Sequence, residues 1–297
     1  MRMSSKIEDM SSLVRNTVAT LEMIKWEHSI FALPFALTGA MLAAGGWPSG
    51  RALLLIVVCM VSARTAAMAF NRWADADLDR DNPRTAMRAI PAGTLSRSFV
   101  GGFVVVSSLI FLGAAALLNH LTLVLAPVAL AIVLAYSYMK RITRWSHLVL
   151  GLALGVAPSA AWIAVRGTYD PRILVLTFAV LLWVGGFDVL YACQDFDHDR
   201  KVGLNSVPQA FGISTAFWIA RVMHFGMLLA LVWLIELFGL GRLADIGVVV
   251  VAILLVYEHS LVSPKDIRRM NAAFFTLNGI ISVVFFGFIA VDILVRK

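Results

Sequence analysis

The chain has 297 residues, 60% of them hydrophobic and 14% charged, with a formal net charge of +7. Soluble domains carry roughly 45–50% apolar and about 25% charged residues, so this composition excludes a water-solvated globule and predicts a lipid bilayer as the solvent. The basic residues fall between apolar runs, which makes them a topology signal and not a nucleic-acid surface; no nucleic-acid partner is expected.

Residues 1–25 are polar and mixed in charge, without the apolar core and cleavage site of a secretory leader. Nine apolar segments follow, at 28–45, 52–70, 99–118, 122–138, 147–165, 173–192, 214–236, 244–258 and 271–294. Roughly 20 apolar residues cross a bilayer as a helix, because backbone polar groups in lipid must be satisfied within the segment. The runs are long and do not alternate in hydrophobicity, which excludes barrel strands. The predicted fold class is all-α: a polytopic bundle of about nine transmembrane helices forming one domain over 1–297. Cys59 and Cys193 are too few for a disulfide framework and read as small buried apolar side chains.

Basic residues concentrate in the N-terminal segment and after the second, fourth, sixth and eighth spans. Examples are Arg80, Arg84 and Arg88; Lys140, Arg141 and Arg144; Arg200 and Lys201; and Lys265, Arg268 and Arg269. The opposite side carries Arg51, Arg166, Arg172, Arg242, Arg296 and Lys297. This asymmetry predicts a cytoplasmic N-terminus and an outside C-terminus.

Two segments on the basic side are rich in aspartate. After the second span, Asn71, Asp75 and Asp79 recur every four residues, the spacing that shares one helical face. After the sixth, Asp195 and Asp199 repeat that spacing, and Asp188 lies seven residues earlier. The even number of helices between the clusters puts both at one membrane face, whichever way the bundle points. Each pair is offset by 120 residues from its counterpart, which suggests a duplicated four-helix unit. Clustered carboxylates repel unless cations neutralise them, and hard oxygen ligands select Mg²⁺, Ca²⁺ or Mn²⁺. Magnesium takes one or two carboxylates, waters and substrate phosphates, so two facing acidic pairs suit two Mg²⁺ ions bridged by a diphosphate. A calcium loop of the D-x-D-x-D type is excluded: where it needs glycine and glutamate, this chain has Arg200 and Ser206, or Arg80 and Ala86. A transporter would bury its acids near mid-membrane, whereas these stand at helix ends.

These motifs resemble the UbiA superfamily of intramembrane aromatic prenyltransferases. The pattern N-x-x-x-D-x-x-x-D is met by Asn71, Asp75 and Asp79, and its basic sequel by Asn82 through Gly93. D-x-x-x-D is met by Asp195 and Asp199, with Tyr191 upstream and Lys201, Gly203, Ser206, Phe211 and Gly212 downstream. Tyr138 to Arg141 resembles the family's basic loop after the fourth helix. Arg72 departs from the pattern, which often has aspartate after the asparagine.

The resemblance is strongest to the branch acting on 4-hydroxybenzoate in ubiquinone biosynthesis. The segment Lys25 to Pro34 is similar to a sub-branch with members serving menaquinone synthesis, for which 1,4-dihydroxy-6-naphthoate would be the acceptor. The resemblance implies a bacterial inner-membrane enzyme that moves a polyprenyl group from its diphosphate to the carbon ortho to the phenol of an aromatic acid. Asn71, Asp75, Asp79, Asp195 and Asp199 would hold Mg²⁺. Arg84, Arg88, Lys140, Arg141 and Lys201 would bind diphosphate, and Tyr138 and Tyr191 would shield the allylic cation.

Arg64 lies inside a span, seven residues before Asn71 on the same face. Intramembrane charge is costly and marks function, so Arg64 is expected to pair with the acceptor's carboxylate or with the site's acids, or to form a structural ion pair. Asp188 joins it as a candidate for the acceptor region. Lys25 and His28, at the inner end of the first span, serve either acceptor binding or surface anchoring.

Overall fold

Three of the long helices begin where a short polar side chain takes over an unsatisfied backbone N–H. Ser49 accepts from the N–H of Ala52, Ser96 from Phe99 and Asn119 from Thr122. Others stop at glycines in the left-handed conformation, Gly167 and Gly239 among them, where a side chain would be strained. A computed structural model describes residues 12–24, 32–267, 270 and 276–296.

The α-helices are α1 (Ser12–Ile24), α2 (Leu33–Ala44), α3 (Gly50–Ala74), α4 (Ala76–Asp81), α5 (Arg97–Leu118), α6 (His120–Ile142), α7 (Ser146–Arg166), α8 (Leu174–Ala192), α9 (Phe196–Val202), α10 (Val207–Phe211), α11 (Ile213–Phe238), α12 (Arg242–Leu261) and α13 (Asn278–Val295). Among the described residues there is no strand, apart from one isolated bridge between Ser263 and Asp266. The all-helical class is as expected, and among the described residues eight helices are long and apolar enough to cross a bilayer. The protein is a multi-pass integral membrane protein.

Two expected spans are described only in part. The segment 28–45 appears as α2, too short to cross alone, and residues 25–31, with Lys25 and His28, lie outside the described set. The segment 271–294 appears from Asn278 onward, with 271–275 likewise outside. One helix was not anticipated. The polar face of α1 hid it from a search for uniformly apolar runs, yet Ala19 and Met23 are buried with Ala69, Leu95 and Val100.

Helix α7 is the axis of the arrangement, packed against α2, α6 and α8. Its close approaches depend on glycine. A Cβ at Gly151 would run into the carbonyl of Leu181, and one at Gly155 would lie 2.7 Å from the carbonyl of Thr177. Membrane helices associate by such backbone proximity, since lipid offers no hydrophobic drive between them. The main core gathers between α2, α8, α11 and α13, where Phe35 packs on Trp183 and Phe285 at centroid distances of 5.0 and 5.5 Å. On α11, Trp218, Val222, Phe225, Leu229 and Trp233 form an exposed stripe at helical spacing, the face offered to lipid.

Candidate active site

Both aspartate motifs sit at the same kind of helix break. Helix α3 ends at Ala74, Asp75 turns the chain at φ −93°, ψ 1°, and α4 resumes at Ala76. Helix α8 ends at Ala192, a short 3₁₀ turn follows, and Asp195 adopts φ −100°, ψ 7° before α9. Both lie in the sparsely populated bridge region that active-site residues often occupy. The backbone bonds Asp75 N to Asn71 O, 2.9 Å, and Asp79 N to Asp75 O, 2.8 Å, cross the first break. The i, i+4 alignment of Asn71, Asp75 and Asp79 therefore survives.

Asn71, Asp75, Asp79, Asp195 and Asp199 all line one cavity of about 1920 Å³. The middle acid of each D-x-D-x-D run, Asp77 and Asp197, is exposed, and Asp77 pairs outward with Arg97 at 3.1 Å. Asp75 is 1% exposed. Its carboxylate takes Lys140 Nζ at 2.5 Å, Arg141 at 3.1 Å and Asn71 Nδ2 at 3.1 Å. Asp79 takes Arg88 at 2.7 Å on one oxygen, while its buried Oδ2 has no partner among the described residues. Asp195 is held bidentately by Arg84, with Nε at 2.8 Å and a terminal nitrogen at 2.5 Å, and Asn82 approaches at 3.4 Å. Burial works against the charge of Arg84, but the hydrogen bonds and charge of Asp195 outweigh it and raise the guanidinium above its ordinary value. Asp199 bonds Ser206.

Among the described residues no three acidic, histidine or cysteine side chains converge as a closed metal cage. Paired acids with an unsatisfied buried oxygen on Asp79 fit an ion that takes one or two carboxylates and completes its shell with water and substrate phosphate.

The other sequence candidates divide. Arg84, Arg88, Lys140, Asp188, Tyr191 and Arg64 line the cavity, and the buried Nε of Arg64 has no partner among the described residues. Arg141 reaches Asp75 without lining the cavity. The structure does not bring Lys201 there: it is exposed on α9, whose turn points it to solvent. Nor does Tyr138 face inward. It packs edge-on against Phe70 at 5.8 Å and beneath Arg141 at 5.2 Å. The tyrosine that lines the cavity is Tyr136, four residues before Lys140 and so on its face of α6. That spacing was available in the sequence. Arg72, His147 and His198 also line the cavity without having been singled out for it, as does Cys59, which is half-buried.

Below this charged end the cavity is largely apolar, with Tyr136, Asp188 and Arg64 as polar points on its wall. It follows α6 from Lys140 to Thr122 and α7 from His147 to Ala164, and is bordered by Met60, Phe111 and Leu118. Eighteen residues of helix correspond to about 27 Å, most of a bilayer's hydrocarbon thickness.

The family model described as the UbiA prenyltransferase family matches residues 32–280. The 4-hydroxybenzoate octaprenyltransferase of Alkalilimnicola ehrlichii is 32% identical over 251 residues, covering 84% of this chain and 85% of that protein. That of Photobacterium profundum is 30% identical over 272 residues, covering 90% and 93%. A UbiA homologue from Aeropyrum pernix K1, solved in its apo form, is similar with a TM-score of 0.82 at 33% identity, covering 90% of this chain and 98% of that one. A UbiA homologue from Archaeoglobus fulgidus, solved with GPP and Mg²⁺, has a TM-score of 0.68 at 19% identity, with 93% and 99% covered. The last shows a shared fold.

Proposed function

The chain belongs to the UbiA prenyltransferase family, and we propose that it transfers a polyprenyl group from polyprenyl diphosphate to the carbon ortho to the phenol of 4-hydroxybenzoate, in ubiquinone biosynthesis. One observation carries the reading. A single cavity about 27 Å long has acids and bases gathered at one end and a largely apolar wall below them, the shape of an anionic head with an isoprenoid tail.

Asn71, Asp75, Asp79, Asp195 and Asp199 are the residues that would hold Mg²⁺. When bound, Mg²⁺ supplies Lewis acidity toward the departing diphosphate. Arg84, Arg88 and Lys140, already poised on the acids at the cavity wall, bind the diphosphate oxygens, and Arg141 steadies Asp75 from outside the cavity. Tyr136 and Tyr191 line the cavity near the charged end and would shield the allylic cation. Arg64 offers its orphaned guanidinium edge to the acceptor's carboxylate, beneath the reacting ring. The basic loops support an arrangement with the acids at the cytoplasmic face of a bacterial inner membrane. The relatives named above, 4-hydroxybenzoate octaprenyltransferases, support the choice of acceptor.

The test is a competition in membranes holding the full chain, with Mg²⁺, a long polyprenyl diphosphate and equal 4-hydroxybenzoate and 1,4-dihydroxy-6-naphthoate. Prenylated 4-hydroxybenzoate by mass spectrometry is the expected product, and it disappears with chelator and returns with added Mg²⁺. A prenylated naphthoate instead would move the enzyme to menaquinone biosynthesis. No prenylated product would overturn the reading.

A further inference from the structure

Transfer to a ring carbon leaves one proton to be removed, and the leading acids of the two motifs are poorly arranged to take it. Asp75 and Asp195 have both carboxylate oxygens engaged by cationic side chains. Asp188 differs. It stands on α8 seven residues before Asp195, about 10 Å deeper along the helix, and lines the same cavity.

Its surroundings define its state. Asp188 Oδ2 lies 2.7 Å from Nδ1 of His147, and Nε2 of His147 lies 3.2 Å from the backbone nitrogen of Val207. A backbone N–H can only donate, so Nε2 accepts and the ring proton resides on Nδ1. His147 therefore donates from Nδ1 to Oδ2 of Asp188, which accepts. The His147 side chain is 5% exposed and held from both sides. Among the described residues His147 is the one hydrogen-bond donor to Asp188, which leaves lone pairs of Oδ1 for a substrate. Across the cavity Tyr136 lies within electrostatic range of Asp188, Asp75, Arg72 and Arg88, linking this level to the charged end. Arg64, four residues deeper along α3 than a position level with Asp188 in its own motif spacing, is about 16 Å below Asp75, so Asp188 and Arg64 are stepped apart along the cavity wall. An aromatic acid with its carboxylate on Arg64 would extend its hydroxyl end up the wall toward the level of Asp188.

We propose that Asp188 is the base that removes the ring proton, and that His147 is the residue that positions it. This rests on the prenyl-transfer reading. The allylic C–O bond breaks and its electron pair leaves with diphosphate. A π pair of the ring forms the new C–C bond at the carbon ortho to the hydroxyl. That carbon then loses H⁺ to Asp188 Oδ1, and the C–H electron pair restores aromaticity. Asp188 passes the proton to water at the cavity mouth.

The test uses the full chain in membranes and an acceptor deuterated ortho to the hydroxyl. Three quantities are read: diphosphate release, C–C product, and the isotope effect from competing labelled and unlabelled acceptor. In the unaltered enzyme ionisation comes first, and the isotope effect is near unity. Asp188→Asn keeps the shape, continues to release diphosphate with water capturing the unused allylic cation as prenyl alcohol and H⁺, makes C–C product about 10²–10⁴-fold more slowly and gains a primary isotope effect. His147→Leu shows the same pattern in milder form, and His147→Asn, which keeps an N–H near Nδ1, recovers part of the rate. Should Asp188→Asn fail to fold, the isotope effect in the two His147 variants carries the decision. Transfer by Asp188→Asn within about threefold of the unaltered rate, or joint loss of diphosphate release and product with no isotope effect, would overturn the assignment. Absence of any C–C product from the unaltered enzyme would remove the parent reading and this one with it.

Discussion

The two aspartate motifs share a backbone but not an environment. Asp75 and Asp195 turn the chain with nearly the same dihedral angles, and each opens a short helix carrying a second acid four residues on. Yet Asp75 is buried among Lys140, Arg141 and Asn71, while Asp195 has a side chain 19% exposed and leans on Arg84, itself 36% exposed. The first motif is thus a desolvated carboxylate whose charge is balanced by a neighbouring helix. The second is a more open carboxylate closed by a loop. Local geometry can be duplicated along a chain, but the stability of a charge is set by what other elements bring to it.

Changing either acid should have the largest effect. Asp75→Asn and Asp195→Asn are each expected to lower turnover by about 10²–10³-fold or more, with Mg²⁺-dependent product formation as the measurement. Near-normal turnover in either would remove that acid from the metal site. The bases should then separate the two halves. Lys140→Met leaves Asp75 buried and under-compensated, and is expected to cost about 3 kcal/mol of stability as well as activity. Arg84→Met removes a half-exposed partner and should lose activity with a stability change of about 1 kcal/mol or less. Thermal unfolding in detergent distinguishes them, and equal shifts would erase the contrast drawn here.

Smaller effects probe the frame and the rim. Gly151→Val forces α7 away from Leu181 and should destabilise by about 1–3 kcal/mol, lowering the melting point with it. Lys201→Ala should be the mildest, since that side chain is exposed and does not line the cavity. A loss of kcat/KM beyond about tenfold, equivalent to ~1.4 kcal/mol, would return Lys201 to the diphosphate site.

Much of this was readable in the chain. Apolar length marked the helices because lipid permits few other backbone solutions, and Gly50–Ala74 or Arg97–Leu118 depart from the expected bounds by a few residues. Amphipathic α1 was not, because half its surface is polar and its apolar half has meaning only against α3 and α5. In the site, the i, i+4 acids were legible from period alone. Tyr138 adjoins the Lys140–Arg141 pair in the chain, but Tyr136, two residues earlier and so about 200° round the helix, is the one that lines the cavity.

What the sequence determined by itself was therefore periodic or compositional: a membrane-spanning all-helical chain and two acidic motifs at one face. What the tertiary structure decided was pairing. That Lys140 meets Asp75, Arg84 meets Asp195 and His147 meets Asp188 depends on helix and loop contacts between residues 41 to 111 positions apart. Such contacts leave no period in the chain, because they arise from how α3, α6, α7 and α8 pack and not from the spacing along any one of them.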